Sequence, residues 1–218
     1  EISGLKPAAT HDTTAEGGCA TSDSSKRAET ARSTTERECT SPLTVKALAE
    51  AKGIPEKFLL DLGCKEWKGK VLIEYRQEDG SRAPRTRIRH KLKAKGKGSS
   101  WTGNESLGAP VPYGLDRLAE ARKRGWLCIV EGESDSWTLW LHDYPALGLP
   151  GASTSSKLQR EHLEGIARLF LSREPDMGGL TLAVAMSERL KEIGWGGELY
   201  LFDCAPHKDP NEAYLALR

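Results

Sequence analysis

The chain has 218 residues, a length that suits one or two domains. Its 32 Lys and Arg residues nearly balance its 31 Asp and Glu residues, so the net charge of +1 predicts no particular class of partner. No apolar run approaches the roughly 20 residues that a membrane span requires, and no apolar signal segment stands at the start. We therefore expect a cytoplasmic protein with no membrane contact. Because the chain begins with Glu1 and not with Met, we also expect a fragment or a processed chain.

The cysteines are odd in number, and no two of them are spaced as C-x-x-C. This pattern argues against a disulfide framework and against a zinc site. In a reducing cytoplasm we expect free thiols. The five residues are Cys19, Cys39, Cys64, Cys128 and Cys204.

Residues 1–41 are rich in Ser, Thr, Ala, Glu and Gly, and they contain almost no large apolar residue after Leu5. Such a segment cannot bury enough apolar surface to offset the entropy of ordering it. We predict a disordered tail or linker.

Two short helices are predicted next. Thr44 can cap a helix in which Val45 and Leu48 lie one turn apart. Residues 55–62 form a second candidate helix, with Pro at its start and Gly63 after its end.

The chain then changes to the alternating pattern of strands. Val71, Ile73 and Tyr75 alternate with Leu72 and Glu74 as on a strand, Asp-Gly at 79–80 is a turn signal, and residues 85–93 alternate again. Residues 65–98 contain twelve Lys or Arg and only four Asp or Glu. A basic strand face suits polyanions such as template phosphates or a nucleoside triphosphate, although it can also be a solvated surface. The basic residues of the second strand are Arg85, Arg87, Arg89, Lys91 and Lys93.

From residue 125 onward, strands alternate with helices. This alternation predicts an α/β fold with a mostly parallel sheet flanked by helices. The predicted strands are 126–130, 146–149, 169–171 and 198–202, and the predicted helices are 134–142, 156–167 and 179–193.

Acidic residues come soon after three of these strands. Glu131 follows the first, Glu174 and Asp176 follow the third, and Asp203 and Asp209 follow the last. Because the carboxyl ends of parallel strands share one edge of the sheet, these carboxylates are expected to gather there. A hard cation such as Mg²⁺ would relieve their repulsion and could hold a phosphate. The alternative is that each acid caps a helix or lies in a solvated turn.

The motifs after residue 124 resemble those of TOPRIM domains from DNA primases. E-G at 131–132 follows an apolar strand, A-L-G-L-P-G-A-S occupies 146–153, E-P-D occupies 174–176, and K-D-P-N-E occupies 208–212. One residue departs from the family pattern. The first acid of the D-x-D pair is an aspartate in the family and is Glu174 in this chain. The resemblance implies a TOPRIM domain at residues 121–218, preceded by a small basic α+β lobe at residues 42–120.

The resemblance also implies a function. A primase core would synthesise short RNA primers on single-stranded DNA from nucleoside triphosphates, with Mg²⁺ or Mn²⁺ as cofactor, and a replicative helicase is a candidate partner. Another TOPRIM enzyme, such as a nuclease or a topoisomerase-related protein, and an inactive single-stranded-DNA-binding module remain alternatives.

The resemblance and the basic strand together give each candidate residue a role. Glu131, Asp176 and Asp135 are the catalytic candidates, and Glu131, Glu174 and Asp176 are the metal ligands. The candidates for nucleic-acid or nucleotide binding are Arg85, Arg87, Arg89, Lys91, Lys93, Lys208 and Asp209.

Overall fold

Two four-stranded sheets organise the computed structural model, which describes residues 42–92 and 98–218. The predicted tail at 1–41 and the predicted phosphate contact Lys93 lie outside the described residues. The described residues belong to one compact unit. The predicted boundary between residues 120 and 121 stays a prediction.

The two predicted amino-terminal helices are present as α1 (Val45–Lys52) and α2 (Glu56–Asp61). Thr44 caps α1, since its side chain accepts a 3.0 Å hydrogen bond from the backbone N–H of Ala47. Gly53 ends α1 in the left-handed conformation, where an L side chain is strained.

The first sheet is antiparallel, in the order β1-β2-β3-β4. Its strands are β1 (Lys65–Trp67), β2 (Lys70–Ile73), β3 (Arg87–Arg89) and β4 (Ser99–Trp101). The strand predicted at 85–93 is therefore shorter than expected. The alternating side chains predict a strand from the local sequence alone. The strand that forms, β3, ends where its backbone pairing with β2 and β4 ends.

The register of β3 determines where its arginines lie. Arg87 pairs with Ile73, and Arg89 pairs with Val71. Residues directly opposite in an antiparallel pair share one face, and Val71 and Ile73 are fully buried. The basic face of β3 therefore packs toward the rest of the protein and is not a solvated surface.

The second sheet is parallel throughout, in the order β6-β5-β7-β8. Helix α3 (Leu118–Arg124) leads into it. Its strands are β5 (Trp126–Val130), β6 (Ala146–Gly148), β7 (Arg168–Ser172) and β8 (Glu198–Phe202), and its other helices are α4 (Glu133–Leu141), α5 (Met177–Glu192) and α6 (Pro210–Ala216). This confirms the predicted α/β fold with a parallel sheet flanked by helices.

One predicted helix, at residues 156–167, is wrong. Short 3-10 turns at Ala152–Lys157 and Glu161–Leu163 occupy this region, and Leu158 between them is extended. The buried side chains of Leu158, Leu163 and Ile166 anchor this irregular segment in the core. These residues are five and three positions apart, and this spacing does not place all of them along one face of a single helix.

Packing on both faces holds the parallel sheet in place. Leu127 and Leu169 point to one face and pack with Leu182 of α5, while Cys128 points to the other face and packs with Trp137 of α4. All helices in the described part of the chain are too short or too polar to cross a membrane. The cysteines within it, Cys64, Cys128 and Cys204, are free thiols.

Candidate active site

The carboxylates predicted to gather do lie at one edge of the parallel sheet. Glu131 follows β5, Glu174 and Asp176 follow β7, and Asp209 follows β8. Because these strands are parallel and adjacent, their carboxyl ends point the same way. The charges of Glu174, Asp176 and Asp209 all act on Glu131, so the acids form one electrostatic cluster.

Glu131 lies in the middle of this cluster. Burial, and then the charges of Glu174 and Asp176, raise the pKa of its carboxyl group to about 7. Its Oε1 atom is buried and has no hydrogen-bond partner. A buried acceptor without a donor is costly, so this position suits a bound cation or a proton.

Glu174 and Asp176 are held in different ways. Glu174 is paired with Lys208, whose Nζ lies 2.7 Å from its Oε2. Asp176 caps α5 and accepts a 3.0 Å hydrogen bond from the backbone N–H of Gly179. A Cβ atom at Gly179 would lie 2.1 Å from the backbone oxygen of Glu174, so only glycine lets α5 begin this close to the acids.

Asp135 is buried behind the cluster on α4. Burial, and then the charge of Asp209, raise the pKa of its carboxyl group, while a hydrogen bond from the backbone N–H of Asn211 (3.3 Å) opposes that shift. Asp209 itself caps α6, since its side chain accepts a 2.7 Å hydrogen bond from the backbone N–H of Glu212. The K-D-P-N-E segment thus packs against α4 as a capped turn.

Of the arginines of β3, Arg87 lies near the start of α4. The Nε atom of Arg87 is 3.9 Å from Oε1 of Glu133, and its guanidinium group stacks 4.8 Å above the ring of Trp101. Arg89 donates from Nη2 to the backbone oxygen of Leu92 at 3.0 Å. The Nε atoms of both arginines are buried without a hydrogen-bond partner.

The remaining predicted residues make other contacts or are exposed. Arg85 donates to the backbone oxygen of Thr102 at 3.2 Å, and Lys91 is exposed beyond the end of β3. Asp203 is half-exposed, with its carboxylate 3.9 Å from the guanidinium of Arg173.

Four residues that the sequence did not single out belong to the site. The hydroxyl of Tyr75 donates a 2.6 Å hydrogen bond to Glu133. Lys52, at the end of α1, lies within the electrostatic influence of Arg89 and Asp135. Asn211 joins α6 to α1 and α4. Among these, only Asn211 carried a sequence signal, because it lies inside the K-D-P-N-E motif.

Three buried side-chain polar atoms in the described residues lack a hydrogen-bond partner. They are Oε1 of Glu131, Nε of Arg87 and Nε of Arg89. The first is an acceptor at the acidic edge, which has unmet capacity for a cation or a proton, and the other two are cationic donors on β3, which have unmet capacity for an anion.

Within 42–92 and 98–218, no three or more His, Cys, Asp or Glu side chains form a ready-made metal cage. Mg²⁺ does not require such a cage, because it commonly takes one or two carboxylates and completes its shell with phosphate oxygens and water. The cluster around Glu131 has the right donor chemistry for that mode of binding.

Comparison with solved structures identifies the fold. The primase fragment of the bacteriophage T7 primase-helicase protein matches 77% of this chain and 68% of its own length, with a TM-score of 0.56 and 21% identity. The E. coli primase catalytic core matches 80% of this chain and 61% of its own length, with a TM-score of 0.55 and 19% identity. This chain has the fold of a DNA primase catalytic core.

A DnaG primase catalytic domain bound to single-stranded DNA has the same fold, with a TM-score of 0.58, 14% identity, and coverage of 76% of this chain and 65% of that one. At such low identity the likeness establishes the fold alone. No known protein family and no curated protein matches this chain by sequence.

Proposed function

We propose that this chain is the catalytic core of a DNA primase, which joins ribonucleotides into short primers on single-stranded DNA. One observation carries the proposal: Glu131, Glu174, Asp176 and Asp209 form one electrostatic cluster at the carboxyl edge of the parallel sheet, and Oε1 of Glu131 is buried there without a hydrogen-bond donor. A divalent cation would supply the missing partner and would bring the phosphates of a nucleoside triphosphate to the same edge.

Glu131, Glu174 and Asp176 are the proposed ligands of Mg²⁺ or Mn²⁺, of which one or two would bind the ion while phosphate oxygens and water complete its shell. The ion would neutralise charge on the phosphates as the transfer proceeds. Lys208 already pairs with Glu174, so it screens one of these carboxylates until the cation binds. A longer glutamate in place of aspartate still offers the same oxygen atoms at this position.

The residues of this chain would then divide the work of nucleotidyl transfer. Arg87 and Arg89 would bind triphosphate oxygens through charge-assisted hydrogen bonds. The primer 3′-oxygen would attack the α-phosphorus, pyrophosphate would leave, and Glu131 would accept the hydroxyl proton.

The expected partners follow from the structures that share the fold. One of them is bound to single-stranded DNA, and another is part of a primase-helicase protein. We propose single-stranded DNA as the template and a replicative helicase as a protein partner.

Primer synthesis on single-stranded DNA with Mg²⁺ and ribonucleotides tests the proposal. Glu131→Gln should lower the rate by about 10²–10⁴-fold, whereas Glu188→Gln, at an exposed position on α5, should not. Equal template-dependent synthesis by the unmodified protein and Glu131→Gln would overturn the catalytic assignment.

Two other outcomes would favour the alternatives. Nicking of plasmid DNA in the absence of nucleotides would favour a TOPRIM nuclease. Binding of single-stranded DNA without binding of Mg²⁺ or nucleotide, measured by calorimetry, would favour a non-catalytic module.

A further inference from the structure

The guanidinium group of Arg87 is held between two side chains. Its Nε atom lies 3.9 Å from Oε1 of Glu133, and its Cζ atom lies 4.8 Å from the centre of the Trp101 ring. The Nε atom is buried without a hydrogen-bond partner among the described residues, whereas the side chain as a whole keeps 21% of its surface exposed. The two Nη atoms are therefore the part of the guanidinium group that can meet a ligand.

Tyr75 contacts both of the side chains that hold Arg87. Its hydroxyl donates a 2.6 Å hydrogen bond to Oε1 of Glu133, the same oxygen atom that faces Arg87. Its ring packs edge-on against the ring of Trp101, with the two centroids 4.9 Å apart. Tyr75 and Glu133 are both buried, so neither can change its rotamer without disturbing its neighbours. A single tyrosine thus fixes both sides of the space that Arg87 occupies.

The backbone supports the same arrangement. Arg87 and Trp101 are directly opposite in the pairing of β3 with β4, which keeps the indole ring beside the guanidinium group. Glu133 is the first residue of α4, and α4 begins two residues after Glu131. The contact between Glu133 and Arg87 therefore links β3 to the segment of the chain that carries Glu131.

The separation of Glu133 and Arg87 indicates orientation and not neutralisation. Charge-assisted hydrogen bonds between nitrogen and oxygen are about 2.7–2.9 Å long, and 3.9 Å is well beyond that length. Glu133 attracts the guanidinium group at this distance but leaves its hydrogen-bond donors unused. An arginine that is already held in place loses little side-chain freedom when an anion binds, so it contributes more to affinity than a mobile arginine does. Its planar fork of donors matches the oxygens of a phosphate group.

We propose that Glu133, held by Tyr75, is a positioning residue that fixes the guanidinium group of Arg87 for a phosphate group of the incoming nucleoside triphosphate. This inference rests on the proposed function, in which Arg87 binds the triphosphate, and it adds the residues that place Arg87. Glu133 acts only through Arg87, so its effect on nucleotide binding depends on the presence of that arginine.

A double-mutant cycle tests this dependence, by calorimetric titration of the full chain with ATP and Mg²⁺ in the absence of DNA. Glu133→Gln keeps an oxygen acceptor for Tyr75 but loses the charge that attracts Arg87, and it should weaken ATP binding about fivefold. Arg87→Met keeps the aliphatic stem and should weaken ATP binding about tenfold or more. Adding Glu133→Gln to Arg87→Met should cause no further loss.

Two results of this cycle would overturn the proposal. An equal loss with and without Arg87 would show a merely structural role for Glu133, because damage to the fold weakens binding in both backgrounds. Tighter ATP binding by Glu133→Gln would show that the carboxylate repels the phosphates more than it orients Arg87.

A matched control and a second ligand define the specificity of the effect. Glu120→Gln removes a surface ion pair on α3, in which Oε1 of Glu120 lies 2.6 Å from Nε of Arg124, and it should leave ATP affinity unchanged. Titration with an oligothymidylate separates the triphosphate from the template as the source of the phosphate. Glu133→Gln should bind this DNA as the unmodified protein does. A loss of DNA affinity at unchanged ATP affinity would assign Arg87 to the template and overturn the proposal.

Thermal unfolding of each variant separates binding from folding. If Glu133→Gln does not fold, Tyr75→Phe is titrated instead, below its Tm, because it keeps the ring against Trp101 and removes only the hydroxyl that holds Glu133. It should weaken ATP binding when Arg87 is present and have no effect in Arg87→Met. A folded Tyr75→Phe variant with unchanged ATP affinity would overturn the proposal.

The same titrations distinguish failure of this inference from failure of the proposed function. If the unmodified protein does not bind ATP with Mg²⁺, the proposed function itself is rejected. If the unmodified protein binds ATP and a folded Glu133→Gln variant binds it equally well, only the positioning role of Glu133 is rejected.

Discussion

The hydroxyl of Tyr75 donates a 2.6 Å hydrogen bond to Oε1 of Glu133, and both side chains are buried. Tyr75 follows the antiparallel sheet, and Glu133 is the first residue of α4 beside the parallel sheet. Arg87 is 3.9 Å from the same carboxylate oxygen. The bond therefore fixes the basic strand relative to the acidic edge.

Tyr75→Phe should lower the free energy of unfolding by about 2 kcal/mol, because it leaves a buried carboxylate without its hydroxyl donor. Urea unfolding measures this difference. Tyr200→Phe is a matched control, since Tyr200 also donates to a glutamate, at 2.8 Å, but on the surface. The control should change stability by less than about 0.5 kcal/mol. Equal effects of the two changes would show that burial does not strengthen the Tyr75 bond.

In metal-free buffer, stability should fall as pH rises through the titration of Glu131. The pKa of its carboxyl group is raised from 4.5 to about 7 in the folded protein. The folded state therefore binds more protons than the unfolded state between these values, and stability is greatest below the unfolded pKa and lost as pH rises through the folded pKa.

Glu131→Gln should remove this part of the pH dependence. Because the carboxyl group is in partial contact with water, we expect the variant to gain only about 1 kcal/mol over the unmodified protein at pH 8. Urea unfolding at about pH 5 and about pH 8 measures it. A steeper slope in Glu131→Gln than in the unmodified protein would contradict the prediction.

Mg²⁺ or Mn²⁺ should raise the Tm of the unmodified protein at neutral pH. A cation bound only by the folded state stabilises it by about 2.7 kcal/mol at a hundredfold excess over its Kd, and here it would also relieve repulsion among Glu131, Glu174 and Asp176. Glu131→Gln should lose most of this response, while Glu188→Gln should keep it. An identical rise in all three proteins would place the cation elsewhere.

Lys208→Ala should bind Mn²⁺ several times more tightly than the unmodified protein. Its ammonium group lies 2.7 Å from Glu174 and competes with a cation for that carboxylate. Mn²⁺ titration followed by electron paramagnetic resonance measures the Kd. Lys57→Ala removes a comparable but exposed pair with Asp61, at 2.8 Å, and should leave the Kd unchanged. An unchanged Kd in Lys208→Ala would remove Glu174 from the set of metal ligands.

Local sequence patterns determined much of the fold of residues 126–202. Short apolar runs separated by helical stretches predicted all four strands of the parallel sheet, because strand and helix periods are properties of neighbouring residues. The helix predicted at 156–167 is wrong because the positions of its buried residues follow the packing of the core and do not repeat with the period of a helix. Helix α6 was missed, although its cap Asp209 and Pro210 are local signals.

The order of acids along the chain predicted that Glu131, Glu174, Asp176 and Asp209 would meet. It sufficed because parallel strands place their carboxyl ends at one edge, whatever the details of packing. The sequence also placed Arg87 and Arg89 on one face of a strand. It could not show which way that face points.

Only the tertiary structure determined which way the arginine face of β3 points and which distant residues contact each other at the site. Pairing of Arg87 with Ile73 and of Arg89 with Val71 turns both arginines to the buried face of the antiparallel sheet, and this register depends on a strand more than a dozen residues away. Glu133 is bonded to Tyr75, 58 residues earlier, and Asn211 is bonded to the backbone of Lys52, 159 residues earlier. Such contacts exist only after packing brings distant segments together, so periodicity and motif spacing carry no record of them.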